Sequence, residues 1–100
     1  MVRKPVIWTT RAKTEKTIIL KFWVYNNKSE NYAVDLNIEF KDAAQLLETF
    51  HFLGKPTDYI DIRALIIKNF TLFYKIEINN IVIVAIWDNR RDDKKLNLDD

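Results

Sequence analysis

The stretch Ile62–Arg91, IRALIIKNFTLFYKIEINNIVIVAIWDNRR, holds three apolar strand patterns closed by short turns and bracketed by arginines. From Phe70 to Ile78, Phe70, Leu72, Tyr74, Ile76 and Ile78 alternate with Thr71, Phe73, Lys75 and Glu77, the period of two expected of a strand with one face more deeply buried. Asn79-Asn80 interrupts it. Asparagine tolerates positive φ better than most residues, so the pair predicts a two-residue primed hairpin leading into the return strand Ile81–Trp87. Ile62–Ile67 is a third run, and Lys68-Asn69 gives a weaker turn signal before Phe70. The expectation is a three-stranded antiparallel meander.

Upstream lie two helical patterns and a short strand. Ala33, Leu36, Phe40, Ala43, Leu47 and Phe50 recur at steps of three and four, which predicts a helix from about Asn31 to a C-terminal cap at Gly54, with Pro56 just beyond. A first helix is expected from about Arg11 to Asn27, although Ile18, Ile19, Leu20, Phe22, Trp23, Val24 and Tyr25 surround more than half of its circumference and hint at a second contact surface. Val6–Thr9, after Pro5, reads as an edge-like strand. The fold class is α+β: an N-terminal strand, a helical hairpin, then the meander, in one domain over residues 1–100.

The last strand sharpens this picture. Strict alternation places Ile81, Ile83, Ala85 and Trp87 on one face and Val82, Val84 and Ile86 on the other, so both faces want cover. If both helices share one face, the other must be covered by the C-terminal segment or by another protein chain. The alternative is that the helices straddle the sheet.

Composition narrows the chemistry. The chain has no cysteine, which removes disulfides and thiolate metal sites and makes a reducing bacterial cytoplasm the default; no metal-ligand spacing occurs. One glycine leaves no phosphate-cradling loop, so no nucleotide cofactor is expected, and nothing in the sequence is long enough to span a membrane. The net charge of +2 is unevenly spread: residues 1–28 are basic and 29–50 acidic, which suits either complementary helix faces or a polyanion footprint. His51 is the sole histidine, and an isolated one at a helix end is more often structural than catalytic. Glu77 reads as a solvated position, and Asp88, Asp92 and Asp93 interleave with Arg90 and Arg91 as a mixed-charge cluster.

The order of elements, together with Trp8-Thr9 and Ala12, Arg63, Asn69-Phe70, Tyr74 and the closing Trp87-Asp88-Asn89-Arg90-Arg91-Asp92, resembles the RelE/ParE superfamily of bacterial type II toxin-antitoxin toxins over nearly the whole chain. The resemblance implies a plasmid-stabilisation type toxin whose sheet is wrapped by a small antitoxin, for which Trp23, Tyr25 and Trp87 are the candidate contacts. Its target would be met by Arg63, Lys68, Tyr74, Arg90 and Arg91. Two mechanisms follow from it. A RelE-like enzyme cleaves mRNA on the ribosome, with Arg63 and Arg90 as candidate phosphate clamps and Lys68 and Lys75 adding charge. A ParE-like toxin needs only a surface that binds and blocks DNA gyrase. Thr71 stands where RelE-like nucleases usually carry a basic residue, and the ending KKLNLDD lacks their aromatic or histidine acid-base group, so the ParE-like branch is favoured. Replacing Arg63 or Arg90 by alanine is then expected to relieve toxicity without harming the fold, unless these arginines pair with Asp61 or Asp88. From another class, a non-toxic RNA-binding or assembly module would use Trp8, Trp23 and Tyr25 for stacking.

Overall fold

A computed structural model describes residues 2–27, 30–91 and 95–98. Its elements are β1 (Val6–Trp8), α1 (Thr10–Asn27), α2 (Glu30–Thr49), β2 (Lys55–Pro56), β3 (Arg63–Ile67), β4 (Phe70–Ile76) and β5 (Ile81–Asp88). Among the described residues the sheet has five strands in the order β1-β5-β4-β3-β2. The predicted meander β3-β4-β5 is its centre, flanked by β1 in parallel with β5 and by the two-residue β2 antiparallel to β3. The sheet is therefore mixed rather than purely antiparallel. Parallel pairing of β1 with β5 is possible because the whole helical hairpin and the meander intervene as a crossover.

Both helices pack on one face. Thr9 starts α1 as its N-cap, its Oγ1 accepting a hydrogen bond from Ala12 N at 3.1 Å. The buried residues of α2, Ala33, Leu36, Phe40, Ala43, Ala44 and Leu47, reproduce the spacing read from the sequence. Of these, Leu36, Phe40, Ala44 and Leu47 cluster with Phe70, Leu72, Tyr74, Ile81, Ile83 and Ile86, so the core lies between the hairpin and one side of β4 and β5. The helices do not straddle the sheet.

The second face has its own small cluster of Phe73, Ala85 and Trp87, covered by Leu96 and Leu98. Which residues of β5 reach which face departs from strict alternation. Tyr74 pairs with Ile83 but Phe73 pairs with Ala85, so Val84 is an extra residue in β5. This bulge resets the parity of the strand. Ile81, Ile83 and Ile86 face the helices, and Val84, Ala85 and Trp87 the other side.

Three turn readings also change. The Asn79-Asn80 turn is not a two-residue hairpin: the last ladder pair is Ile76 with Ile81, and Glu77–Asn80 form a four-residue loop closed by Glu77 N donating to Asn80 O at 2.8 Å. Neither asparagine has positive φ; among the described non-glycine residues only Asp61 and Lys68 do. On its other edge Ile81 N donates to Pro5 O at 2.9 Å, where the parallel ladder with β1 starts. The tight turn is instead Lys68-Asn69, between paired Ile67 and Phe70, with Lys68 at φ 54° as the first position of a type II′ turn requires. Finally, α2 stops at Thr49, leaving Phe50 exposed, and Gly54 is not its cap. A Cβ on Gly54 would lie 2.7 Å from Ala64 O and 2.8 Å from Tyr74 Cε1, so glycine is needed there for close approach and not for a left-handed backbone.

Candidate functional site

The residues singled out in the sequence separate into two groups at opposite ends of the sheet. Arg63 is paired with Tyr74, and Asp88, two residues before Arg90, with Phe70. Four steps along β4 separate these rows, about 13 Å at the usual strand rise of roughly 3.3 Å per residue.

The Arg63 end is a knot of satisfied hydrogen bonds. Tyr74 is fully buried; its hydroxyl donates to His51 O at 2.7 Å and accepts from Gly54 N at 2.9 Å. Arg63 spends its guanidinium on the same loop: Nε and Nη2 donate to Gly54 O at 3.0 and 2.6 Å, and the group lies 5.1 Å from the centre of the Phe52 ring. The expected alternative partner, Asp61, is not the one it takes. His51 is buried, with Nε2 3.0 Å from Glu48 O. Tyr74 thus offers no surface to a target, and Arg63 acts on this chain's own carbonyls because the loop after α2 turns away from any ladder and leaves them without strand partners.

The other end is open. Here β1 has already ended, so β5 beyond Ile83 has no strand neighbour on that side. Side chains of the α1 side take over: Thr9 Oγ1 donates to Val84 O at 3.2 Å, and Glu15 Oε1 accepts from Ile86 N at 3.1 Å. Because Val84 is the bulge, Ile86 turns its N–H outward, where Glu15 can reach it. Beneath this edge runs a mostly apolar groove of about 340 Å³, walled by Ile18, Ile19, Phe22 and Trp23 of α1 and by Phe70 and Ile86 of the sheet. Its rim carries Glu15, Asp88, Arg90 and Arg91.

The rim charges are only partly neutralised. Arg90 makes a forked pair with Asp88, Nε to Oδ1 at 3.0 Å and Nη2 to Oδ2 at 2.6 Å, and lies 5.1 Å from the Trp23 ring centre. The hydrogen bond from Arg90 holds the Asp88 carboxyl below the usual carboxylate range, against the upward push of its partial burial. The guanidinium of Arg90 is correspondingly raised, first by the same hydrogen bond. Arg91 stacks 4.4 Å from the Trp87 ring centre, and Lys68 sits 3.4 Å from Glu39 and 5.0 Å from the Tyr32 ring centre. The structure thus brings together Trp23, Arg90 and Arg91 at one groove, with Lys68 at the same end of the sheet.

Of the candidate antitoxin contacts, Tyr25 is 76% exposed and Trp23 half-buried, whereas Trp87 is only 4% exposed beneath Leu96 and Leu98 and presents no open surface. Asp92 and Asp93 lie outside the described residues. Sequence reading missed Glu15, Ile18 and Phe22 as groove residues; the excess of apolar residues around α1 was the available signal, but the bulge that frees the edge of β5 leaves none. Among the described residues, two acidic residues of α2 form ion pairs outside α1, Glu48 with Arg3 at 2.8 Å and Glu39 with Lys68 at 3.4 Å.

The sequence matches the family described as the ParE toxin of the type II toxin-antitoxin system parDE over residues 6–93. The chain belongs to that ParE toxin family. The match spans every strand and both helices, as well as both arginine ends. No curated protein matches the sequence significantly. Among solved structures, the fold is similar to a chain of the chromosomal ParDE system from P. aeruginosa, with a TM-score of 0.76 and 17% identity over 86% of this chain and 96% of that one. It is also similar to a chain of the RelBE2 toxin-antitoxin complex from Mycobacterium tuberculosis, with a TM-score of 0.60 and 20% identity over 87% of this chain and 99% of that one. At these identities the likeness concerns the fold, a helical hairpin on a mixed sheet, as expected of a ParE-family toxin. Among the described residues no helix is long and apolar enough to cross a membrane.

Proposed function

We propose that this chain, a single toxin domain over residues 1–100, arrests growth in the bacterial cytoplasm by ParE-like inhibition of DNA gyrase and is neutralised by a cognate antitoxin protein. The observation that carries this reading is the division of its candidate residues. RNA cleavage needs a base, an acid and positive charge around one phosphate. Here the two candidate clamps, Arg63 and Arg90, belong to opposite ends of β4, and the first is occupied by Gly54 O. Tyr74 and His51 are buried and hydrogen-bonded to backbone. A toxin that blocks an enzyme by binding requires none of this assembly, only an accessible surface. The groove rim of Trp23, Arg90 and Arg91, with exposed Ile18 and Phe22 beside it, is the surface best suited to a protein partner. The solved ParDE and RelBE2 neighbours belong to toxin-antitoxin systems, which supports an antitoxin for this chain as well.

The deciding experiment pairs induced expression, alone and with the neighbouring reading frame, with a supercoiling assay on purified gyrase. Arrest in which DNA synthesis fails first, with supercoiling blocked by the purified chain, is the expected result. Early failure of protein synthesis with gyrase unaffected would replace this reading with ribosome-dependent mRNA cleavage. Soluble protein without any arrest would favour the non-toxic binding module.

A further inference from the structure

The basic start of the chain has no part in the groove or in the Arg63 knot. Much of it lies on the exposed side of the helical hairpin, where two polar rows run along the helices. Lys13, Thr17 and Lys21 follow one another at steps of four on α1, and Asn37, Lys41 and Gln45 at steps of four on α2, all of them exposed. Between the helices and the edge of β1 lies a cleft of about 290 Å³, lined by Trp8, Lys16, Asn37, Lys41 and Gln45. Lys16 is half-buried there, its ammonium 4.6 Å from the Trp8 ring centre. The charge on this side is of one sign. None of Lys13, Lys16, Lys21 and Lys41 forms an ion pair among the described residues, whereas Arg3, Arg11, Lys68, Lys75 and Arg90 each hold a carboxylate. Glu48 closes one end of the cleft but is taken by Arg3, and Glu15 is taken by Arg11 and Ile86 N. Asp42, three residues before Gln45, is the carboxylate that borders the α2 row.

We propose that this side of the hairpin binds the phosphate backbone of duplex DNA, with Lys13, Lys16, Lys21 and Lys41 as the phosphate contacts and the Asn37 and Gln45 amides donating hydrogen bonds between them. Lys13 and Lys21 are eight residues apart, about 12 Å at the usual rise of roughly 1.5 Å per residue, and a duplex presents about one charge per 1.7 Å of its axis. The rows therefore meet several phosphates at once. Lysine ammonium groups and amides fix a protein on the backbone without reading bases, so binding is independent of sequence. Single-stranded nucleic acid is the poorer fit, because it is held by stacking on aromatic faces and the ring in this cleft, Trp8, already carries Lys16. That the DNA met in the cell is the duplex held by gyrase rests on the proposed function; the binding itself does not.

The test titrates the purified full chain against a fluorescein-labelled duplex of mixed sequence by anisotropy, over a series of salt concentrations. Four phosphate contacts predict a slope of log affinity against log salt of about −3.6. Lys13→Gln/Lys21→Gln should flatten it by about 1.8, while Lys13→Arg/Lys21→Arg keeps it and Lys55→Gln, on β2 at the far edge of the sheet, leaves it unchanged. Asp42→Asn should tighten binding. A slope that the glutamine pair does not move, one that Lys55→Gln moves as far, or tighter binding to a single-stranded RNA of the same length would overturn the proposal. Circular dichroism confirms that the variants are folded, and should the double variant unfold, Lys41→Gln, expected to flatten the slope by about 0.9, decides by itself. A chain that binds duplex DNA with the expected slope yet leaves supercoiling by gyrase untouched would remove the gyrase reading and leave this surface standing.

Discussion

Arginines at the two ends of β4 show how one residue type is put to two uses. Arg63 lies against a loop whose carbonyls have no ladder to join, and its planar fork closes that loop onto Gly54 O. Arg90 stands past the end of β5, where Asp88 neutralises it and the Trp23 ring supports it at the mouth of a groove. The first is a structural clamp; the second remains displayed at the rim. What separates them is the unmet need of the surrounding backbone, since orphan carbonyls inside a fold claim the nearest donors while solvated ones do not.

The comparison can be broken most forcefully at Gly54. Gly54→Ala forces a methyl against Ala64 O and the Tyr74 ring, and should cost about 3 kcal/mol, the upper part of the range for overpacking, read as a lowered urea midpoint. Next, Tyr74→Phe leaves Gly54 N and His51 O without their partner and should cost about 2 kcal/mol. Arg63→Ala is expected to lose about 1–2 kcal/mol, and Arg63→Lys nearly as much, because an ammonium cannot reproduce the fork. This revises the expectation that Arg63 is dispensable to the fold. If Arg63→Ala proves as stable as the parent yet abolishes growth arrest, the clamp assignment fails.

At the other end the expected effect on stability is smallest. Arg90→Ala should change the unfolding free energy by less than about 1 kcal/mol, as is usual for exposed pairs, yet relieve growth arrest in an induced culture. An unfolded Arg90→Ala protein would erase the contrast between the two ends. The Asp88 carboxyl sharpens it through pH. Its folded pKa is depressed, so its contribution is complete at neutral pH, above the unfolded value, and is lost as pH falls through the folded one. Stability of the parent and of Asp88→Asn should accordingly differ slightly at pH 7 and converge in acid, whereas Tyr74→Phe should stay less stable than the parent at both.

Much of the fold was legible because it rests on local pattern. The three-and-four spacing from Ala33 to Leu47 and the alternation through Phe70–Ile76 identified α2 and β4 before any contact was known, since each needs only a periodic apolar face. The turns were less legible. Asn79-Asn80 has strong intrinsic turn chemistry, yet the ladder closes at Ile76 and Ile81 and leaves a four-residue loop, while the weaker Lys68-Asn69 pair became the tight turn. Gly54 suggested a cap by its place in the chain, although its reason is a neighbour twenty residues away, Tyr74.

By itself, then, the amino-acid order determined the helical hairpin, the meander, the cysteine-free chemistry and the resemblance to a toxin family that the match over residues 6–93 establishes. Tertiary structure alone decided the rest. The Val84 bulge turned Ile86 toward the helices and Trp87 away from them, the short β1 left an edge for Glu15 to cap, and Leu96 and Leu98 packed on the face on which Trp87 was expected to meet a partner. These are decided by pairings between residues far apart in the chain, and an inserted residue in a strand reverses every side chain beyond it.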